Sequence, residues 1–309
     1  MSESQVIGID FGGTSVKLAV LEGGELLTNV HRIRTQEYHG PDSLIDKIVE
    51  VIADVKKEFP DVAAVGVGVP GAVDYGKGIT YNLTNVQGWN DVALSEILAQ
   101  KTGLPCVLDN DANCMAFAEW KFGAAQGTEN AVCVTLGTGV GGGLILNGRV
   151  YRGATYAAGE IGQMSVDYRG VAGPYGNSGA LERYIGNKQI TEMAAEMYRA
   201  AGRDVPDPHT PEAIAKLAEA GDETAIEVWE KVAEYLANSL MSIVYLLNPE
   251  IIVIGGGVSE AGDLLFEPLL KNLENSLTNE CFDQLRIVPA KFGNTAGMIG
   301  SAALAADLP

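Results

Sequence analysis

Two stretches far apart in this 309-residue chain follow one plan, and that repetition constrains the fold more than any other feature. VIGIDFGGTSVKLAVLEGGEL, residues 6 to 26, runs apolar strand, Gly/Thr turn, apolar strand, glycine turn and short strand. VCVTLGTGVGGGLILNGRV, residues 132 to 150, repeats the order, with Gly137, Thr138 and Gly139 in the places of Gly12, Gly13 and Thr14. One such pattern is an ordinary hairpin signal; two predict duplicate copies of one domain plan. Gly12 and Gly13 also permit positive φ and close backbone approach, so something is expected to sit against that turn.

A second echo agrees. DVAAVGVGVPGAV (61 to 73) and EIIVIGGGVSEAG (250 to 262) are each an apolar strand and a glycine run that come after a helical stretch. The first helix carries Leu44, Ile48, Val51, Ile52 and Val55; the second runs from Asp222 as N-cap to Leu247, with Ile226, Trp229, Val232, Leu236, Leu240 and Ile243 at helical spacing and Asn248-Pro249 as a stop. Hairpin, helix and parallel strand in both halves predict an α/β protein with two related mixed sheets. The expected division is residues 1–112 plus about 295–309 as a smaller domain and 113–294 as a larger one, the helix from Thr295 to Ala306 packing back on the first.

Composition excludes several functions. A net charge of -19 argues against nucleic acid and against anionic membranes, which both select clustered Lys and Arg. The N-terminus lacks a basic and apolar leader and no apolar run is long enough to span a bilayer, so a cytoplasmic protein is expected. Cys106, Cys114, Cys133 and Cys281 stand singly, as reduced thiols do. His31, His39 and His209 lie outside the glycine-rich motifs, so a carboxylate is the expected general base.

No GxxxxGK[ST] run exists for a P-loop. Gly66, Gly68 and Gly71 formally match a Rossmann fingerprint, but Pro70 is followed by GAVDYGKGIT, which reads as turn and strand where a helix would have to open. The two glycine hairpins instead suit a nucleotide held in a cleft between two related domains. Backbone N–H groups and hydroxyls of Gly12, Gly13, Thr14, Gly137, Thr138 and Gly139 would cradle the phosphates, Asp10 would engage hydrated Mg2+, and Gly255, Gly256 and Gly257 would let adenine and ribose lie against the backbone.

DFGGTSVK, VGVPGAVD, LDNDANCMAFAEWKFG, TLGTGVGGGLILNGRVYRG and AAGEIG, in this order, resemble the ROK family of bacterial sugar kinases and repressors, in the actin-like ATPase superfamily. The resemblance implies two related actin-like, ribonuclease H-like domains with an active-site cleft between them, ATP and Mg2+ as cofactors, Lys17 among the nucleotide contacts, and a homodimer. It implies Asp111 as the general base on a sugar hydroxyl, although a residue between strand and helix is also an N-cap candidate. Asn110, Glu160, Glu182 and Asn85 match sugar-binding positions, and the Asn and Gly-Trp pattern of NLTNVQGWND is more typical of the family's glucokinases. Many members carry a zinc-binding His and three Cys where this chain has Gln163, Gly173, Tyr175 and Ala180, so no structural zinc is expected; Gln163 is left as a further sugar contact.

These readings converge on transfer of the γ-phosphate of ATP to the 6-hydroxyl of a hexose, glucose first. N-acetylglucosamine, N-acetylmannosamine, mannose and fructose are the alternatives. A repressor is disfavoured, because the family's repressors place a winged helix-turn-helix before the first phosphate motif, which here begins at Asp10. A non-catalytic sugar-responsive regulator is disfavoured by the intact Asp111 and phosphate loops.

Overall fold

A computed structural model describes residues 4–83, 85–207 and 210–308; His209 lies outside the described residues. The chain divides into unit 1, residues 1–127, 143–158 and 294–309, and unit 2, residues 128–142 and 159–293. Unit 1 thus runs past the expected break at residue 112, taking in the helix that starts there and a later return of the chain.

Unit 1 opens with strands β1 (Val6–Phe11), β2 (Ser15–Glu22), β3 (Glu25–Leu26) and β4 (His31–Arg34), then helix α1 (Pro41–Glu58) and β5 (Ala64–Val69). There follow β6 (Val73–Asp74), β7 (Ile79–Asn82), β8 (Asn90–Val92), α2 (Leu94–Thr102), β9 (Cys106–Asn110) and α3 (Asp111–Phe122). Its main sheet has the order β3-β2-β1-β5-β9, with β4 also on β2; β1 is antiparallel to β2 and parallel to β5, which is parallel to β9. Helix α1 starts where Gly40 takes a positive φ and Pro41 supplies a preset first turn; its Leu44, Ile45, Ile48, Ile52 and Val55 are buried at helical spacing. A separate antiparallel sheet, β6-β7-β8, interrupts the predicted scheme.

Unit 2 repeats the plan. Strands β10 (Ala131–Leu136) and β11 (Val140–Ile145), the latter crossing from unit 2 into the 143–158 segment of unit 1, are followed by helices α4 (Glu182–Ile185), α5 (Asn187–Ala200), α6 (Pro211–Glu219) and α7 (Glu223–Leu247). Strand β12 (Ile251–Gly255), helices α8 (Asp263–Glu274) and α9 (Asn279–Phe282) and strand β13 (Arg286–Pro289) complete it. The sheet order is β11-β10-β12-β13, with β10, β12 and β13 parallel, the counterpart of β2-β1-β5-β9. Helix α7 begins as read from the sequence: the Asp222 side chain accepts from the Ala225 N–H, and Asn248 ends it in the left-handed region.

The last helix, α10 (Ala296–Ala306), belongs to unit 1, where it packs on β1, β5 and α3. The approach is backbone to backbone. A β-carbon at Gly8 would collide with the Met298 carbonyl, one at Gly66 with the Ser301 carbonyl, and one at Gly300 with the Cys114 carbonyl in α3. Gly66 and Gly68 are therefore strand residues that admit neighbours, and β5 leads to a turn and β6 with no helix at the would-be dinucleotide fingerprint. We expect Gly66→Ala and Gly300→Ala each to lower the unfolding free energy by roughly 1–3 kcal/mol, read from denaturant midpoints, because backbone cannot swing aside as a side chain can.

Candidate active site

In unit 1 the sheet register builds a row of charge. Lys17 on β2 lies opposite Asp10 on β1, Asp10 opposite Gly68 on β5, and Gly68 opposite Asp109 on β9. Paired residues share a sheet face, so Lys17 Nζ comes within 3.1 Å of Asp10 Oδ2, and it also donates to the Asn294 carbonyl at 3.3 Å. The space above Gly68 is filled by the Cys114 thiol. Burial first, then the negative charges of Asp109, Asp111 and Asp10, pushes that thiol well above its ordinary pKa.

The turn after Asp10 is closed by Gly12 N–H donating to Ser15 O at 2.9 Å and by Thr35 N–H donating to Thr14 O at 3.1 Å. Gly12 and Gly13 do not use positive φ, so that half of the sequence expectation is corrected; the hairpin closes with both in ordinary backbone. Trp89 is a core residue: it is buried, donates to the Thr80 hydroxyl and meets Phe11 edge to face at 5.8 Å. It ties the 85–89 stretch to the residue after Asp10, and the Asn85 amide lies beside Gly13, in ordinary contact distance of a β-carbon placed there.

Asn110, not Asp111, caps α3. Its backbone is still extended, its Oδ1 accepts from the N–H groups of Ala112 at 2.9 Å and Asn113 at 3.4 Å, and its Nδ2 donates to Gly71 O at 3.0 Å. One amide hydrogen is left for a ligand. Asp111 is already helical: its half-buried carboxylate accepts from the Ala112 N–H at 2.9 Å, in the first turn, where the helix dipole favours negative charge. Sequence reasoning missed Asp109 and Arg152. Asp109 is fully buried and receives Arg152 Nε at 2.7 Å and Nη2 at 2.6 Å. The LDND and VYRG strings contain both residues, but nothing local pairs them.

Unit 2 has its own cluster. The 137–139 turn is held by Gly137 N–H donating to Gly139 O at 2.9 Å and Asn187 N–H donating to Gly137 O at 2.8 Å. Glu182 Oε2 accepts from Val140 N–H at 3.1 Å, Gln163 Nε2 donates to Glu182 Oε1 at 3.4 Å, and a β-carbon at Gly139 would collide with the Glu182 carboxylate. Glu160 reaches solvent, yet protein crowding its carboxyl, with the negative Glu182 second, raises its pKa above the usual carboxylate range. Pairing of Thr135 with Gly255 sets the 255–257 run beside the same turn, and Gly256, at φ 86°, abuts the Leu136 carbonyl.

Three of these glycines have no internal reason to be glycine. Gly13, Gly137 and Gly257 avoid positive φ; a β-carbon would meet nothing within 4 Å at Gly137 or Gly257 and make an ordinary contact at Gly13. Backbone without side chains beside it is what a phosphate or ribose needs for close approach.

The loop between Gln163 and Glu182 closes on itself. Ser165 pairs with Ala180 and Ala172 with Ser178, Asn177 Nδ2 donates to Gln163 O at 3.0 Å, and Tyr184 Oη accepts from Val171 N–H at 3.1 Å. Among the described residues no three His, Cys, Asp or Glu side chains gather as a metal site.

A model of the ROK family matches residues 6–308. The chain belongs to the ROK family. The glucokinase of Halalkalibacterium halodurans is 34% identical, over 97% of this chain and 94% of that one. The N-acetyl-D-glucosamine kinase of Pasteurella multocida is 31% identical, over 96% and 98%. A ROK family glucokinase from Streptomyces griseus, solved in complex with glucose and AMPPNP, superposes with a TM-score of 0.81 at 30% identity, over 97% of this chain and 99% of that one. The mixed α/β plan of this ROK chain is therefore that of the family's solved sugar kinases, which share the actin-like ATPase fold.

Two outcomes test this site. Gly137→Ala is expected to leave the unfolding free energy unchanged or raised by up to about 1 kcal/mol, while calorimetry reads an ATP-analogue Kd weakened roughly tenfold, about 1.4 kcal/mol. Elemental analysis of purified protein is expected to find no stoichiometric zinc, and a chelator followed by dialysis to leave Tm unchanged.

Proposed function

We propose that this chain is an ATP-dependent hexose 6-kinase whose preferred acceptor is glucose. The observation that carries the reading is the set of open glycine turns, Gly13, Gly137 and Gly257, in a chain that also holds Asp10, Lys17 and a helix-start carboxylate, Asp111. The residues suit Mg-ATP: the side-chain-free turns at 12–14 and 137–139 for the phosphates, with the Gly12 and Gly137 N–H groups spent on closing the turns themselves and the donors coming from their neighbours, and Gly255 to Gly257 for the adenosine. Mg2+, when bound, neutralises phosphate charge; Asp10 is its holder through water, with Lys17 adding a fixed cation beside it.

Asp111 takes the proton of the 6-hydroxyl as that oxygen attacks the γ-phosphorus. ADP leaves, and the phosphate ester forms. Asn110 offers its remaining amide hydrogen to a hydroxyl, and Asn85, Glu160, Gln163 and Glu182 complete the hexose contacts. The second reading is an N-acetylhexosamine kinase: Gln163 Oε1 is buried without a hydrogen-bond partner in the chain, and an acetamido N–H would satisfy that acceptor as well as a hydroxyl would. The proposal includes a cytoplasmic homodimer that binds neither nucleic acid nor membrane. No helix among the described residues is long and apolar enough to cross a bilayer.

An ADP-release assay across hexoses and N-acetylhexosamines tests the reading. Glucose is expected to give the highest kcat/KM, and Asp111→Asn to lose about 10² to 10⁴ of the rate with its fold intact. An N-acetylated winner would leave the kinase and overturn the acceptor; no ADP release from any sugar would overturn both.

Glu160 adds a pH signature. A carboxyl with a raised folded pKa is protonated more readily folded than unfolded, so its ionisation penalises folding as pH rises from about 4.3 through the folded value and beyond. Glu160→Gln is therefore expected to raise Tm at pH 7 to 8, with the difference vanishing below about pH 4. In the wild type, hexose KM is expected to climb on acidification while pH is still above the ordinary carboxylate range, and Glu160→Gln to flatten that limb.

A further inference from the structure

Asp109 is a buried carboxylate two residues before the assigned base, and its four hydrogen bonds divide by oxygen. Oδ1 accepts from the Asn110 N–H at 2.8 Å and from Asn113 Nδ2 at 2.9 Å, residues on either side of Asp111. Oδ2 takes the Arg152 fork. Arg152 is fixed in turn: its guanidinium lies 3.7 Å from the centre of the Tyr75 ring, and Tyr75 packs on Tyr156 at 6.2 Å. Tyr156 holds a left-handed backbone, φ 62°, uncommon for a bulky side chain, and its hydroxyl would stand 2.5 Å from a β-carbon at Gly76. The strap from 152 to 158 is closed by Ala158 N–H donating to Arg152 O at 3.0 Å. All of this lies within unit 1.

We propose that Arg152 is a positioning residue for Asp111, acting through Asp109; the inference rests on the sugar-kinase reading. Without the guanidinium, Asp109 must bear an uncompensated buried charge, protonate or move, and each outcome disturbs the two Oδ1 bonds that hold the start of α3. A lysine restores charge but neither the fork nor the stack on Tyr75.

The test compares Arg152→Met, Arg152→Lys and the double variant Asp109→Asn/Arg152→Met with wild type. It reads kcat, hexose KM, Tm and amide hydrogen exchange at Ala112 and Asn113, whose N–H groups bond to the Asn110 cap. Arg152→Met is expected to lower kcat roughly tenfold to a hundredfold, the scale of a small misplacement of a reacting group, with hexose KM within about threefold. Exchange at Ala112 and Asn113 is expected to quicken, and Arg152→Lys to recover part of kcat. The double variant removes the orphaned charge, so its Tm is expected to recover while kcat stays low; it replaces the single variant if that one does not fold. Unchanged kcat, a loss that only follows the folded fraction, or unchanged exchange would overturn the proposal. A wild type that phosphorylates no hexose would sink the kinase reading instead, and exchange would still decide whether Arg152 holds the helix start.

Discussion

The contact on which unit 1 depends is the one between α10 and the strands beneath it. At Gly8 and Gly66 the helix backbone lies directly on the sheet, and at Gly300 it lies directly on α3, with no side chain between them. Packing of this kind gains dispersion over a large area but tolerates no added atom. It also reaches the site: at Gly297 a β-carbon would stand 2.7 Å from Asp10 Oδ1. The last helix of the chain thus bounds the position of a carboxylate ten residues from its beginning, which is why unit 1 needs both chain ends.

Register then spreads that constraint sideways. Because Lys17, Asp10, Gly68 and Asp109 share one row, a slip of any strand by one residue would turn a charge toward the opposite, apolar face. The neighbouring buried positions, among them Ile9, Leu18, Val67 and Leu108, make such a slip costly, so apolar packing on one face specifies where the charges stand on the other. Asp10 thereby stays only half-buried near the end of its strand. Asp109 is the exception, since it enters the interior itself and is tolerated only with Arg152.

How far the sequence showed this varies with the range of the interaction. Hairpins, the α7 caps and the α1 stripe rest on neighbours within a few residues, and all were legible. The choice between Asn110 and Asp111 as cap was not, because both side chains cap well and only the backbone decides which is extended. The β6-β7-β8 sheet was missed because its strands are two to four residues long, too short for alternation to register. Arg152 and Asp109 stand 43 positions apart and meet only through tertiary folding. Gly13 and Gly66 look alike in the sequence, yet one answers to open space and the other to a packed carbonyl.

The Gln163–Glu182 cluster of unit 2 is built differently from the Asp109–Asp111 region of unit 1. Gln163 is oriented by its 3.4 Å bond to Glu182 and by the Asn177 amide on its carbonyl, while Gly173 and Gly179 admit Asn177 and the Asp167 backbone at close range. Each such bond contributes net only about 0.5–1.5 kcal/mol. A metal would bind the same loop through several strong bonds at once, so hydrogen bonds leave it more easily reshaped. The Asp10 and Asp109–Asp111 region of unit 1 is held by helix-on-sheet packing and a buried ion pair, and it has little freedom. On the proposed sugar-kinase reading, changes in acceptor preference are therefore easiest to accommodate around Gln163 and Glu182, where a substitution can reorient an amide without disturbing the start of α3. On the same reading, a buried acceptor left open at Gln163 Oε1 is the form such a tunable contact takes, since its energy would be realised only with a sugar that supplies the missing donor.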